Sequence, residues 1–432
     1  MNFMRKHLPI LGILLLSLAV HFAYFTHPRE TVFDEVHFGK FVSGYFTHEY
    51  FFDIHPPLGK LIISGAGYVA GFQPGFSFGS IGDQFPDNTY LALRLLPRLA
   101  GALLPIIIIL LLLELKFSRL SAYSAGILVI FENALLTQSN YMLLDAFLLL
   151  FGFMSWWLYA KSRYTLHATR YMLLAALCAG LAVSVKWTGI TFLAVIGILE
   201  LIRVIREKTR LVSLPILIFM PFIVYYALFT IHFSLLSKPG DGDAFMSQEF
   251  KNGELSTFEK FTELNEEMYN ANARLTAGHP YSSKWYTWPF MQRPIYYWNE
   301  DSPSTDSGQA KIYLLGNPII WWASTFAILY ILMNALTERN KMYWLIGGAY
   351  LLNLLPFIGI DRAMFLYHYF VALIIAIIAL VYFIDALKNR KRIFAGLLVA
   401  SFVAFLFFAP LSYGLNISDK VFEKRMWFDS WR

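Results

Sequence analysis

Leu8–Lys60 reads LPILGILLLSLAVHFAYFTHPRETVFDEVHFGKFVSGYFTHEYFFDIHPPLGK. An apolar run of helix length gives way to two adjacent carboxylates, Asp34 and Glu35, then to His37, His48 and His55 and the Pro56-Pro57 pair. The apolar half decides the fold class, because about 20 mainly apolar residues in a helix cross the ~30 Å hydrocarbon core of a bilayer. The run follows a positive start, as in a signal peptide. The bulky His21, Phe22, Tyr24 and Phe25 stand where a cleavage site needs small residues, so the segment is expected to stay as a first transmembrane helix.

Outward from this stretch the chain keeps the same character. Of its 432 residues 57% are hydrophobic, 18% aromatic and only 15% charged, against about 25% charged in soluble globular chains. Apolar runs predict helices near 8–25, 91–113, 121–138, 142–160, 171–185, 187–202, 211–233, 317–336, 342–358, 365–386 and 393–413. The expected fold is therefore all-α and polytopic, with about eleven spans and one membrane domain over residues 1–432. The net charge of +6 comes from short Lys/Arg clusters between apolar runs, which excludes a nucleic-acid-binding domain. The single cysteine, Cys178, excludes an intrachain disulfide framework.

Those clusters also orient the chain. MRKH, ELKFSRLS, KSRYTLHATR, RVIREKTR, TERNK and ALKNRKR all fall on one side, which the positive-inside rule makes cytoplasmic together with the N-terminus. Residues 26–90, residues 234–316, the turn GIDRAMF and the tail 414–432 are then outside. The loop 234–316 holds Tyr281, Trp285, Tyr286, Trp288, Phe290, Tyr296, Tyr297 and Trp298, a composition that predicts a packed, membrane-facing element. Its Trp and Tyr suit an interfacial belt or sugar-stacking platforms. A transporter would gather ionisable residues at the midplane and show inverted repeats. Here they gather at the outer surface, and no repeat is visible.

In the first outside loop, Phe38, Phe41, Val42 and Tyr45 recur at helical spacing and predict an interfacial helix with Asp34 at its N-cap. The Asp34 carboxylate either caps that helix or, with Glu35, faces a surface cavity as a general base. Spacing alone does not separate the two. His37, His48, Glu49, Asp53 and His55 are metal-compatible in type, but no spacing such as HExxH occurs, so no metal is expected. The two prolines end one segment and predict a second interfacial helix from about Pro57, with Lys60 snorkelling to headgroups or binding a phosphate. Asp145 and Lys186, near helix ends, are costly to bury unpaired, which marks them as functional groups or as salt-bridge partners.

The same residues carry a resemblance. DEVHFGKFVSGYFTHEYFFDIHPPLGK, LRLLPRLAGALLP with Arg94, ENALLTQSNYMLLDAFLLLF with Asp145, AGLAVSVKWTGI, HFSLLSKPGDGDAFMSQEF, SSKWYTWPFMQRPIYYW, GNPIIWW and DRAMFLYHYFVAL together resemble the protein O-mannosyltransferases of the GT-C glycosyltransferase fold. Eukaryotic members of that family carry a globular MIR domain in a late lumenal loop. No outside segment here beyond 234–316 is long enough for one, so the likeness is to a compact bacterial-type member of the cell membrane.

The resemblance implies inverting transfer of mannose from a polyprenyl-phosphate-mannose donor to Ser/Thr hydroxyls of a polypeptide acceptor, without cofactor or metal. It makes Asp34 the base and Glu35 the group that orients the site. A donor phosphate at the outer boundary needs cations, and Arg94, Arg362 and Lys60 are the candidates. His37, His55, Asp145 and Trp288 are candidate acceptor or sugar contacts. The lipid A aminoarabinose transferases share the fold and the acidic pair after the first helix. The His after Val36, the HPPLGK run and the GDGDAFMS block fit mannosyltransferases better. Oligomeric state is left open.

Overall fold

The computed structural model describes residues 2–207, 213–274, 278–300 and 308–432. Residues 208–210 of the RVIREKTR cluster and 301–307 of the large loop thus lie outside the described residues. In chain order the helices are α1 (Asn2–Phe22), α2 (Glu35–Thr47), α3 (Leu58–Val69), α4 (Tyr90–Glu114), α5 (Arg119–Ile130), α6 (Asn133–Ser139), α7 (Asp145–Ser162), α8 (Ala168–Val185), α9 (Ile190–Glu207) and α10 (Ser213–Leu235). Then follow α11 (Gln248–Lys251), α12 (Thr257–Arg274), α13 (Pro318–Ala335), α14 (Lys341–Leu354), α15 (Phe370–Asp385), α16 (Arg390–Tyr413) and α17 (Asp419–Glu423).

All eleven expected segments are helical over most of their described residues, with residues 211–212 of the 211–233 segment lying outside the described residues. Among the described residues, eight helices are long and apolar enough to cross a membrane, nine if the bent pair α5–α6 is one span. The chain is a multi-pass membrane protein, and a count of eleven further requires α1 and α7 to cross. One expected helix, 121–138, is broken by 59° between α5 and α6. The fully buried Glu132 is the reason. Its carboxylate caps α6 at the Leu135 amide, 2.8 Å away, and accepts the Asn317 amide at 2.7 Å, so it ties the break to the start of α13.

α15 runs through the middle of the bundle, with every residue from Phe370 to Val381 buried. α10 and α16 lie at the edge and leave Ile218, Phe219, Phe222, Val399, Val403 and Leu406 exposed. Such apolar outer faces suit lipid contact.

Outside the helices, one small antiparallel sheet departs from the all-α expectation. It joins β1 (Ile295–Asn299), β2 (Gln309–Leu314) and β3 (Asn416–Ile417) in that order. The alternating aromatic and branched residues of IYYWN and QAKIYL favour strands. β1 pairs Tyr296 with Tyr313 and Trp298 with Ile312, so Tyr297 is the extra residue of a bulge. Much of the large loop's aromatic content is core rather than belt, since Trp288, Tyr297 and Trp298 are buried while Tyr286 and Phe290 are exposed.

The first loop follows the sequence expectation in outline. α2 buries Phe38, Val42 and Tyr45, and α3 starts directly after Pro57. What holds the loop on the bundle is a pair of fully buried charges. Arg94 of α4 donates from Nε to Glu35 Oε1 at 2.8 Å and from Nη2 to Glu35 Oε2 at 2.6 Å. Its remaining bonds go to the carbonyls of Pro28 (2.6 Å) and Glu30 (2.7 Å), and its guanidinium lies among the rings of Phe85, Tyr90 and Tyr141. Glu35 in turn accepts the amides of Val32 (2.9 Å) and Met142 (3.0 Å). Every oxygen and nearly every N–H of the pair is therefore used.

Two outcomes follow from this architecture. Cysteines introduced at the exposed Asn252 and Thr337 should react with an impermeant maleimide from opposite faces of the membrane, with little background from the buried Cys178. Same-face reaction would refute the proposed orientation. Removing one member of a buried ion pair strands the other charge and costs about 3–5 kcal/mol, so Glu35→Gln and Arg94→Met should each lower the detergent-solution melting temperature strongly. The double variant Glu35→Leu/Arg94→Met should melt higher than either single one.

Candidate functional site

Asp34 sits at the N-cap position of α2, yet its side chain makes no capping bond. The capping alternative is thereby removed. Among the described residues no hydrogen bond or ion pair to the Asp34 carboxylate is present, although the residue is half-buried. Burial pushes its carboxyl up to about 7, with Asp145 and Asp53 adding to the rise and Lys186 pulling the other way.

The backbone that presents Asp34 is strained. Phe33 has φ +47, which a non-glycine residue seldom adopts. It is held there because its N–H donates to the Tyr297 carbonyl at 3.1 Å and its ring stacks on the Tyr297 ring with centroids 4.0 Å apart. The β1 bulge is what turns Tyr297 inward, the use to which bulges beside sites are often put.

A second line of polar groups closes the site from below. Asp145, the first residue of α7, receives Lys186 Nζ on its two oxygens at 2.8 and 2.9 Å and Gln138 Nε2 at 2.6 Å. The Tyr297 hydroxyl donates to Gln138 Oε1. Asp145 is thus a salt-bridge partner within the site. Lys186 lies over the Tyr367 ring, 5.0 Å from its centroid. Tyr367 neighbours Asp34, Asp145 and Arg362, and His368 neighbours Arg362 and Lys186.

Two of the three phosphate candidates read from the sequence are otherwise engaged. Arg94 faces Glu35 and two carbonyls and has no exposed surface. Lys60 neither snorkels nor faces a ligand, because its ammonium is buried on the Asp53 carboxylate and the carbonyls of His55 (2.7 Å) and Pro56 (3.3 Å). Both are corrected to structural anchors of the first loop. Arg362, in the turn before α15, differs: it is half-buried and has no hydrogen bond or ion pair among the described residues. Its burial lowers its proton affinity somewhat without removing the charge.

The remaining candidates divide likewise. His55 is half-buried beside Lys186, Lys60, Arg362 and His368, and burial followed by these charges holds it well below the usual imidazole range, hence neutral. His37 is exposed on the outer side of α2. Trp288 is fully buried, donates to Ser283 Oγ at 2.9 Å and stacks on His368. It is core, not a platform for a sugar. The metal-compatible set is dispersed over other bonds: His48 to the Leu235 carbonyl, Glu49 to Thr47, Asp53 to Lys60.

Sequence reasoning missed Gln138, Tyr297, Tyr367 and His368. Each lay inside a quoted motif, but nothing in spacing separated it from its neighbours.

The chain is similar to known proteins over most of its length. The family described as dolichyl-phosphate-mannose-protein mannosyltransferase matches residues 12–237, and the C-terminal four TMM region of protein-O-mannosyltransferase matches residues 257–431. Dolichyl-phosphate-mannose–protein mannosyltransferase 1 of Candida albicans is 35% identical over 266 residues, 58% of this chain and 30% of that protein. Protein O-mannosyl-transferase 2 of Danio rerio is 32% identical over 55% of this chain and 34% of its own length. The matched segment is therefore only about a third of these curated relatives.

Among solved structures, one from the S. cerevisiae protein O-mannosyltransferase Pmt1-Pmt2 complex bound to the sugar donor superposes with a TM-score of 0.90 at 20% identity, over 99% of this chain and 93% of that one. ArnT from Cupriavidus metallidurans bound to undecaprenyl phosphate gives 0.56 at 13% identity, over 91% and 63%. These likenesses establish a shared GT-C fold. Since a single family match takes in more than half of the residues, the chain belongs to the dolichyl-phosphate-mannose-protein mannosyltransferase family.

Proposed function

We propose that the chain transfers mannose from polyprenyl-phosphate-mannose to Ser or Thr hydroxyls of polypeptides at the outer face of the cell membrane. The observation that carries the reading is the state of Asp34: a half-buried carboxylate, raised to about 7, with no partner for its side chain among the described residues. A hydroxyl is a poor nucleophile until a base takes its proton. Asp34 takes that proton as the acceptor oxygen bonds to the anomeric carbon, and the bond from that carbon to the phosphate oxygen breaks on the opposite face. The lipid phosphate leaves as an anion without needing a proton. Arg362, a cation with no hydrogen bond or ion pair among the described residues, receives the donor phosphate and stabilises that charge.

Neutral His55 and exposed His37 line the path by which the acceptor hydroxyl approaches. Glu35 orients the loop through Arg94 rather than touching the substrate. A lipid or glycan acceptor is the competing outcome, and the assay separates the two. Membranes holding the chain, given polyprenyl-phosphate-[3H]mannose and a Ser/Thr peptide, should label the peptide; label confined to lipid would overturn the proposal.

General-base assistance typically contributes about 10²- to 10⁴-fold, so Asp34→Asn should lose at least about 100-fold in turnover at unchanged protein level. Arg362→Ala should raise the donor KM far more than Arg362→Lys. The pH dependence has a definite sign. The base works only when deprotonated, so kcat/KM should be flat above about pH 7 and fall about tenfold per unit below it. A profile flat down to pH 5 would remove Asp34 from the role.

A further inference from the structure

Lys186 is the residue between α8 and the short turn Trp187–Gly189, with extended backbone (φ −148, ψ 144). That break throws its side chain toward the first loop. The ammonium ends on both oxygens of Asp145 at 2.8 and 2.9 Å, over the face of the Tyr367 ring. Gln138 fixes the carboxylate from the other side at 2.6 Å, and Tyr297 fixes Gln138. Tyr297 in turn stacks on Phe33, the residue before Asp34. A bonded chain therefore starts on a cation and ends beside the proposed base without including it.

The groups that face Asp34 are Lys186 from the α8–α9 break, Asp145 of α7, Asp53 of the first loop, Tyr297 of β1 and Tyr367 before α15. Lys186 also faces His55 and His368, with Arg362 beyond them. Of these, Lys186 is the cation that acts on Asp34. A carboxylate paired with an ammonium is a weaker base, its pKa lowered by about 1–3 units.

We propose that Asp145 is a positioning residue that holds Lys186 off Asp34. By taking the ammonium on both oxygens, with Gln138 and Tyr297 locking its plane, it leaves Asp34 unpaired and able to accept a proton. Its relevance to catalysis rests on Asp34 being the base of the reaction proposed above. The electrostatic claim does not.

The test reads Asp34 directly. A hydrophobic carbodiimide modifies protonated carboxyl groups, so its yield on the Asp34 peptide against pH, followed by mass spectrometry on the purified full chain, gives a protonation midpoint without any sugar transfer. Asp145→Asn releases Lys186 and should move that midpoint down by about one pH unit or more. Asp145→Asn/Lys186→Met should bring it back to the wild-type value or above. A midpoint unmoved in Asp145→Asn, or still lowered in the double variant, overturns the proposal. Should Asp145→Asn fail to fold, Gln138→Leu decides in its place: it should lower the midpoint, and Gln138→Leu/Lys186→Met should not.

Peptide mannosylation measured on the same preparations keeps the two readings apart. The expected shifts with no transfer by the wild type would sink the catalytic reading and leave the role of Asp145 intact. Normal transfer with an unmoved midpoint would do the reverse.

Discussion

The bidentate pair between Glu35 and Arg94 is the constraint on which the rest of the site depends. Both side chains are without exposed surface, a situation in which desolvation rivals the Coulomb gain. A pair of this kind is poor as a source of net stability. Its effect is to permit few alternative arrangements, because any shift of the first loop would strand an unpaired charge. Four segments meet on it: the chain before α2 at Pro28, Glu30 and Val32, α2 itself, α4, and the stretch at Met142. Arg98, one turn further along α4, repeats the device with the His21 and Asn140 carbonyls, at 2.8 and 3.0 Å. α4 thus pins the end of α1, the first loop and the approach to α7 with two cations.

Adjacent residues at a helix start point about 100° apart. Once Glu35 is fixed on Arg94, Asp34 has to face elsewhere. Here it lies near Tyr297 of β1, Asp145 of α7 and Tyr367 before α15. Residues held in sparsely populated backbone regions cost on the order of 1–3 kcal/mol, and Phe33 is such a residue. The stacking and hydrogen bonding to Tyr297 offset that cost from one side, and the Glu35–Arg94 pair does so from the other. Of two neighbouring carboxylates, one is committed wholly to structure and the side chain of its neighbour has no partner among the described residues.

What was legible in the sequence was what local periodicity determines. Each expected membrane segment is helical, the interfacial helix after Asp34 is in place, and Pro56-Pro57 starts the next one. Arg94 and Lys60 were recognisable as important but not as anchors, since a cation near an outer helix end looks the same whether it meets a phosphate or a carboxylate 59 residues away. Trp288 reads in the sequence as a candidate sugar contact among the loop's other aromatics. Only tertiary contact tells a buried indole from an exposed one. The sheet was missed because β1 and β2 are short and lie within a loop already explained by its aromatic content. Glu132 interrupts an apolar run that by composition reads as one helix, and its partner Asn317 is 185 residues distant.

The division of roles also explains why one ionisable group should dominate the chemistry. Sites that need both an acid and a base commonly keep two carboxylates in different protonation states by different surroundings. A leaving group that departs as a phosphate needs no acid, so on the proposed reading one base and one cation suffice. The second carboxylate is freed for structure and is held by Arg94 at 2.8 and 2.6 Å. Two histidines near the first loop are kept from blurring the titration in different ways: His55 is held neutral by burial and by the cations around it, while His37 is exposed on α2. Of the two cations beside Tyr367, Lys186 is spent on Asp145 and Arg362 has no hydrogen bond or ion pair among the described residues. An arginine holds its charge when half-buried, where a lysine more readily loses it. The residue left open to a phosphate is therefore the one whose planar fork suits phosphate oxygens.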